Sequence, residues 1–192
     1  MKKTASKFLD TSGQSLVEVL VALTVAALVI LALVVVSLMG LKNAQFAQNQ
    51  AKVTKYAQEA IDQVRAIRDR NGNVTFQNNL SNPACTPCSG NTCAFSGLWS
   101  CQLTKSSGSP CTLSPGNGCY LVLSADGTSL SEPSSLNNAN QNLGDGFSRQ
   151  VILEDGAPAL DYSKEKRVRV VVTWTDSSGT HESNVQTILT KH

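Results

Sequence analysis

The sequence predicts an α+β protein. A long N-terminal α-helix, apolar all round in its first half and amphipathic in its second, packs on a C-terminal antiparallel β-sheet. Three observations carry that prediction. Val19–Leu41 is a run of 23 residues without a charged side chain, mostly Val, Leu and Ala. Phe46, Val53, Tyr56, Ala57, Ala60, Ile61, Val64 and Ile67 then recur at spacings of three, four and seven, the signature of one apolar helix face. Near the C-terminus, Arg167–Thr175 alternates β-branched residues before an Asp176-Ser177-Ser178-Gly179 turn and a last strand at Val185–Thr190.

The chain begins with a short basic segment, residues 1–13, containing Lys2, Lys3, Lys7 and Asp10. It accounts for the whole formal net charge of +2, so the rest of the chain balances and offers no global basic field to attract nucleic acid or an anionic surface. Residues 14–41 form the apolar helix. The uncharged run alone spans roughly 35 Å at about 1.5 Å per residue, enough for a hydrocarbon core of about 30 Å. A secretory signal peptide has a shorter apolar region, about 7 to 15 residues, ending in a small-residue cleavage site. Here Lys42-Asn43-Ala44-Gln45 follows the run and shows no such site. The preceding lysines hold the N-terminus in the cytoplasm and direct the C-terminal part outside.

Glu18 interrupts the apolar pattern. A carboxylate at the edge of lipid is expensive unless paired or solvated. Ser15-Leu16-Val17-Glu18 fits the S-x-x-E capping box, with Ser15 as N-cap. The alternative is a partner for Glu18 on another molecule.

Residues 42–70 continue the helix, with Lys52, Lys55, Glu59, Asp62 and Arg65 opposite the apolar face. Asn71-Gly72, after Arg68 and Arg70, is a stop signal. Residues 71–146 read as a loop-rich variable region. Their only charged residues are Lys105, Asp126, Glu132 and Asp145, and they contain all six cysteines: Cys85, Cys88, Cys93, Cys101, Cys111 and Cys119. An even, clustered set points to disulfides formed in an oxidising compartment, with 15 connectivities open. Within this region Ala94–Leu103 and Cys119–Ser124 read as strands. Residues 147–192 supply Phe147–Leu153, Arg167–Thr175 and Val185–Thr190, and the expected topology is an antiparallel meander with one wet face. On Arg167–Thr175, Val168, Val170, Val172 and Trp174 share one face.

Ser12-Gly13-Gln14-Ser15-Leu16-Val17-Glu18-Val19-Leu20-Val21-Ala22-Leu23 resembles the cleavage and methylation site of type IV prepilins. A short basic leader, a glycine, a glutamate five residues on and an uninterrupted apolar helix coincide here. The resemblance implies that a prepilin peptidase cuts between Gly13 and Gln14, that the new N-terminus is N-methylated, and that Glu18 becomes the fifth residue of the mature chain, the family's characteristic glutamate. It further implies a pilin fold, an inner-membrane single-pass state with an external C-terminus, and export into an extracellular filament. The partners implied are other pilin subunits, the peptidase/methyltransferase, an inner-membrane assembly platform and membrane lipid. In a filament core the amine of a neighbouring Gln14 would neutralise Glu18; removing one partner of such a buried pair costs about 3 to 5 kcal/mol, so Glu18 would fix axial register. Two features depart from the common pattern: the first mature residue is Gln14 rather than Phe, and no proline occurs before Pro83. Ala57–Asp69 and the Arg167–Trp174 strand with its final hairpin also resemble minor pilins of the pilus-modification type.

Other chemistries are weaker. Cys85-x-x-Cys88 has zinc-ligand spacing, but clustered cysteines of exported chains pair with each other, and no βαβ context supports a redox motif. The only histidines are His181 and His192, and no nucleophile grouping or glycine-rich phosphate loop stands out. His181 reads as a solvated strand residue. No enzyme, metal or cofactor is expected. Lys164, Lys166, Arg167 and Arg169 form a local basic cluster that offers DNA phosphates a surface patch, against the simpler reading of a solvated sheet face. The expected function is therefore that of a structural minor pilin. The rivals are a type II secretion pseudopilin, a pilus-tip adhesin or DNA-binding module, and a plain single-pass anchor for an external domain.

Overall fold

The computed structural model describes residues 12–76, 88–89, 91–103, 111, 119–155, 161 and 163–191. Among these residues, helix α1 (Ser12–Asp69) is followed by nine strands: β1 (Asn73–Thr75), β2 (Cys88–Ser89), β3 (Thr92–Ala94), β4 (Cys119–Leu123), β5 (Leu130–Ser131), β6 (Gln141–Gly144), β7 (Phe147–Glu154), β8 (Glu165–Asp176) and β9 (Gly179–Thr190). This is the expected α+β architecture. The chain divides into two compact units, Met1–Gln48 and Asn49–His192.

In the second unit, α1 buries the face that its periodicity predicts. Val53, Ala57, Ala60, Ile61, Val64 and Ile67 are buried and Tyr56 is partly so, while Lys55, Glu59, Asp62 and Arg65 face solvent. Phe46, read as part of the same face, lies in the first unit and is 44 % exposed. The helix ends at the expected place. Asn71 takes φ 52°, its N–H donates to the Arg68 carbonyl at 2.9 Å, and the Gly72 N–H donates to the Ile67 carbonyl at 2.8 Å. Asparagine is one of the few residues that tolerate this left-handed conformation. Gly72 is needed for space instead: a Cβ there would sit 2.8 Å from the Thr128 carbonyl oxygen.

The sheet runs β2-β3-β1-β5-β4-β7-β8-β9, with β6 also paired to β7. The antiparallel meander holds for β7-β8-β9, where Val151 opposes Val170 and Val170 opposes Val185. It does not hold throughout, because β1 pairs β5 in parallel. Among the described residues, the stretch 71–146 supplies six of the nine strands, all of them five residues or shorter. Ala94–Leu103 is also corrected. Only Ala94 ends a strand, and Phe95–Ser100 forms a 3-10 turn that buries Phe95, Leu98 and Trp99. Those three residues are spaced three and one apart, which brings them together on one side of a tight helical turn rather than across a pleat.

The inward face of the sheet carries Leu121 and Leu123 of β4, Phe147, Val151 and Leu153 of β7, and Val168, Val170, Val172 and Trp174 of β8, which form one core with α1. Arg149 shares this face. Its guanidinium donates to the Tyr56 carbonyl at 3.2 Å and to Gln141 Oε1 at 2.8 Å, and burial pulls its pKa down. Arg65 and Arg70 tie the end of α1 to the sheet layer, through Thr187 Oγ1 at 3.0 Å and the Gly127 carbonyl at 2.9 Å.

Candidate functional site

The first unit holds the residues with the strongest sequence signal. Every Val, Leu, Ile and Met side chain from Leu16 to Leu41 is between 49 % and 67 % exposed. By length and composition α1 is able to cross a membrane. Gly13, Gln14 and Ser15 are the second, third and fourth residues of α1. The helix begins at Ser12, three residues before Ser15. The basic segment up to residue 11 lies outside the described residues. Glu18 is exposed beside Leu16, Val17 and Val19 and, among the described residues, forms no ion pair. A carboxylate on an apolar helix surface demands a counter-charge once that surface is covered.

In the second unit, Cys111 and Cys119 form a disulfide, and Cys93 and Cys101 are also disulfide-bonded. No described cysteine is free. Oxidised sulfurs offer no thiolate to zinc. Cys85 lies outside the described residues, and of Cys88 only the backbone, in β2, is described.

The basic cluster does not form a patch. Lys164 is exposed, with its ammonium 3.4 Å from Asp161. Lys166 points to the other side of β8 and is 0 % exposed; its Nζ contacts Asp155 Oδ1 and donates to the Cys101 carbonyl at 3.0 Å. Asp155, 3 % exposed, accepts the Leu103 N–H through Oδ2. Burial pushes the Lys166 pKa down and the Asp155 pKa up, and each partner's charge opposes the shift of the other. On the opposite face Arg169 donates to the buried carboxylate of Glu154 at 3.2 Å, and Arg167 stands across from Glu154 in register. Burial raises Glu154 and the two arginines counter it. Strand alternation alone separates Lys166 from Arg167 and Arg169, so four neighbours in sequence face three different environments.

At the β8–β9 hairpin, His181 is not simply solvated. Its ring stacks on Trp174 with centroids 5.0 Å apart, and Nε2 lies 3.0 Å from Asp176 Oδ1. Ser178 Oγ donates to the same carboxylate oxygen at 2.5 Å. The same hydroxyl lies 3.3 Å from His181 Nε2, so Ser178 and the imidazole converge on one aspartate oxygen, and the group works as a turn cap. These hydrogen bonds, first from Ser178 and then from His181, lower Asp176 to about 2. Among the described residues no three His, Cys, Asp or Glu side chains are grouped to hold a metal ion.

No family model, curated protein or solved structure matches the chain.

Proposed function

We propose that this chain is a structural subunit of a type IV pilus-like extracellular filament, a minor pilin. In this reading it is cut between Gly13 and Gln14, N-methylated at Gln14, held in the cytoplasmic membrane by the apolar part of α1, and then assembled through that same segment with other pilin subunits. The observation that carries the reading is the state of the apolar segment. From Leu16 to Leu41 all of its large side chains are exposed, with one carboxylate, Glu18, among them. Such a surface is stable only in lipid or against other apolar helices, and the two environments treat Glu18 differently. Lipid disfavours it. A bundle of like helices gives it the amine of a neighbouring Gln14. The prepilin-like motif around Gly13 supports the same conclusion independently.

The test is the intact mass and N-terminal peptide of the protein from membranes and from sheared surface material. The expected result is a chain starting at Gln14 and one methyl group heavier than its sequence. An uncleaved chain from a host with an active prepilin peptidase would leave only a membrane anchor with an external domain. Glu18→Ala sharpens the test: the variant is expected to reach the membrane in normal amount and to be lost from the surface fraction. An unchanged surface yield would remove Glu18 from assembly.

A further inference from the structure

We propose that Lys166 and Asp155 are a self-modification site at which the chain forms an intramolecular amide bond between Lys166 Nζ and Asp155 Cγ. The cross-link would join the start of β8 covalently to the residue just after β7.

The two groups are in contact, and both are almost completely buried, 0 % and 3 % exposed. Buried apolar residues flank the pair: Leu103 and Leu189 are buried, Leu189 stands opposite Lys166 in register, and Val168 is next along the same face. A buried charged pair is expensive, and transferring one proton from the ammonium to the carboxylate removes both charges at once. Burial drives both pKa values in the direction of that transfer. The product is a neutral amine, which is a nucleophile, beside a neutral carboxylic acid, which is an electrophile.

The backbone arranges the remaining partners. One Nζ–H is held by the Cys101 carbonyl at 3.0 Å, and the amine bears on the carboxyl of Asp155. The Leu103 N–H is held by Asp155 Oδ2 and so sits where negative charge develops as the carbonyl is attacked. The step balances without a co-reactant. The Nζ lone pair forms the bond to Cγ and the C–Oδ1 bond breaks. Oδ1 leaves as water, carrying its own proton and one from Nζ. A fixed contact replaces an encounter between free groups, which supplies the proximity that an unactivated acid and amine lack.

The experiment is peptide mapping of the full chain extracted from membranes, with its disulfides counted by alkylation before and after reduction. The expected mass is one water below that of the disulfide-bonded sequence. Trypsin should release Glu165-Lys166-Arg167 joined to the 150–164 peptide, with no cleavage after Lys166. Asp155-Gly156 is also a sequence that loses water by closing to a succinimide. That product hydrolyses in mild base, leaves Lys166 cleavable and persists in Lys166→Arg. The amide resists base and is absent from Lys166→Arg. Full sequence mass with free cleavage after Lys166, or a water loss that survives Lys166→Arg, overturns the proposal. The map of the unsubstituted chain decides the matter even if the variant fails to fold, and it does not depend on where the N-terminus begins.

Discussion

The two halves of α1 are built from the same kinds of residue and end in opposite conditions. From Leu16 to Leu41 the helix is apolar on all sides, and its large side chains are exposed. From Val53 to Ile67 it is apolar on one side, and that side is buried to 6 % exposure or less against the sheet of its own unit. The difference lies in where the polar residues fall. Lys52, Lys55, Glu59, Asp62 and Arg65 mark out a wet face and so define a dry one that a single sheet can cover. Val19–Leu41 has no such face, and no one-sided partner satisfies it. The second half is completed by its own chain, and the first half leaves its apolar side chains exposed on every side.

The sharpest way to break that contrast is to place a carboxylate in each half. Val64→Asp puts an unpaired charge into the core, and the expected loss is more than about 4 kcal/mol, enough to unfold the second unit. Leu28→Asp is expected to leave the thermal unfolding of that unit unchanged. It should weaken membrane insertion by about 3 kcal/mol, the cost of an aspartate near the centre of a spanning helix. Circular dichroism in detergent reads the first effect and membrane fractionation the second. An equal drop in melting temperature for both variants would mean that the apolar half is structurally coupled to the rest and is not waiting for an external partner.

Two glycines test the contrast at smaller amplitude. A Cβ on Gly72 would meet the Thr128 carbonyl at 2.8 Å and Ile67 Cγ2 at 3.0 Å. Backbone yields little, so Gly72→Ala is expected to destabilise the second unit by about 1 to 3 kcal/mol. A Cβ on Gly40 would meet nothing within 4 Å. Gly40→Ala should favour helix by about 1 kcal/mol and leave the unfolding of the second unit untouched. Chemical denaturation of both variants measures the pair; a destabilising Gly40→Ala would indicate a close neighbour at that position in the assembled state.

Period and punctuation made much of this legible. The face of α1, the stop at Asn71-Gly72 and the strands β4, β7, β8 and β9 follow from local spacing, and the sheet and helix bury what that spacing marks. What was not legible is non-local. Strands of two or three residues, such as β1 and β5, carry no alternation to read, and their parallel pairing depends on where the chain returns. Phe95, Leu98 and Trp99 did carry a signal, since that spacing suits a tight helical turn better than a pleat. Lys166 carried one too: counting by twos from Val168 places it on the inward face, whereas grouping it by charge with Arg167 and Arg169 does not. Asp155 gave none, because its importance comes entirely from the lysine eleven residues away that the β7–β8 register brings beside it. At Glu18 the motif was clear, and among the described residues no ion pair is formed there.

Acid provides the mildest comparison. Val19–Leu41 has no ionisable side chain, and the carboxylates of the folded sheet lie in the second unit. There, Asp126 accepts hydrogen bonds from Ser124 Oγ at 2.6 Å, Thr128 Oγ1 at 2.7 Å and the Thr128 N–H at 3.0 Å, and these lower its pKa from 3.8 to about 2. A carboxylate depressed in the folded state contributes stability that is complete above its unfolded value of 3.8 and disappears as the pH falls through about 2. Asp126→Asn removes that contribution at every pH. The variant is therefore expected to be slightly less stable than the parent near neutrality, and the gap should close over the acid window rather than widen. Urea midpoints of both chains across that window measure it. A gap that stays constant with pH would assign the effect of Asp126 to turn geometry alone, because an uncharged side chain at the β4–β5 turn would then lose the same bonds whether or not the aspartate it replaces is ionised.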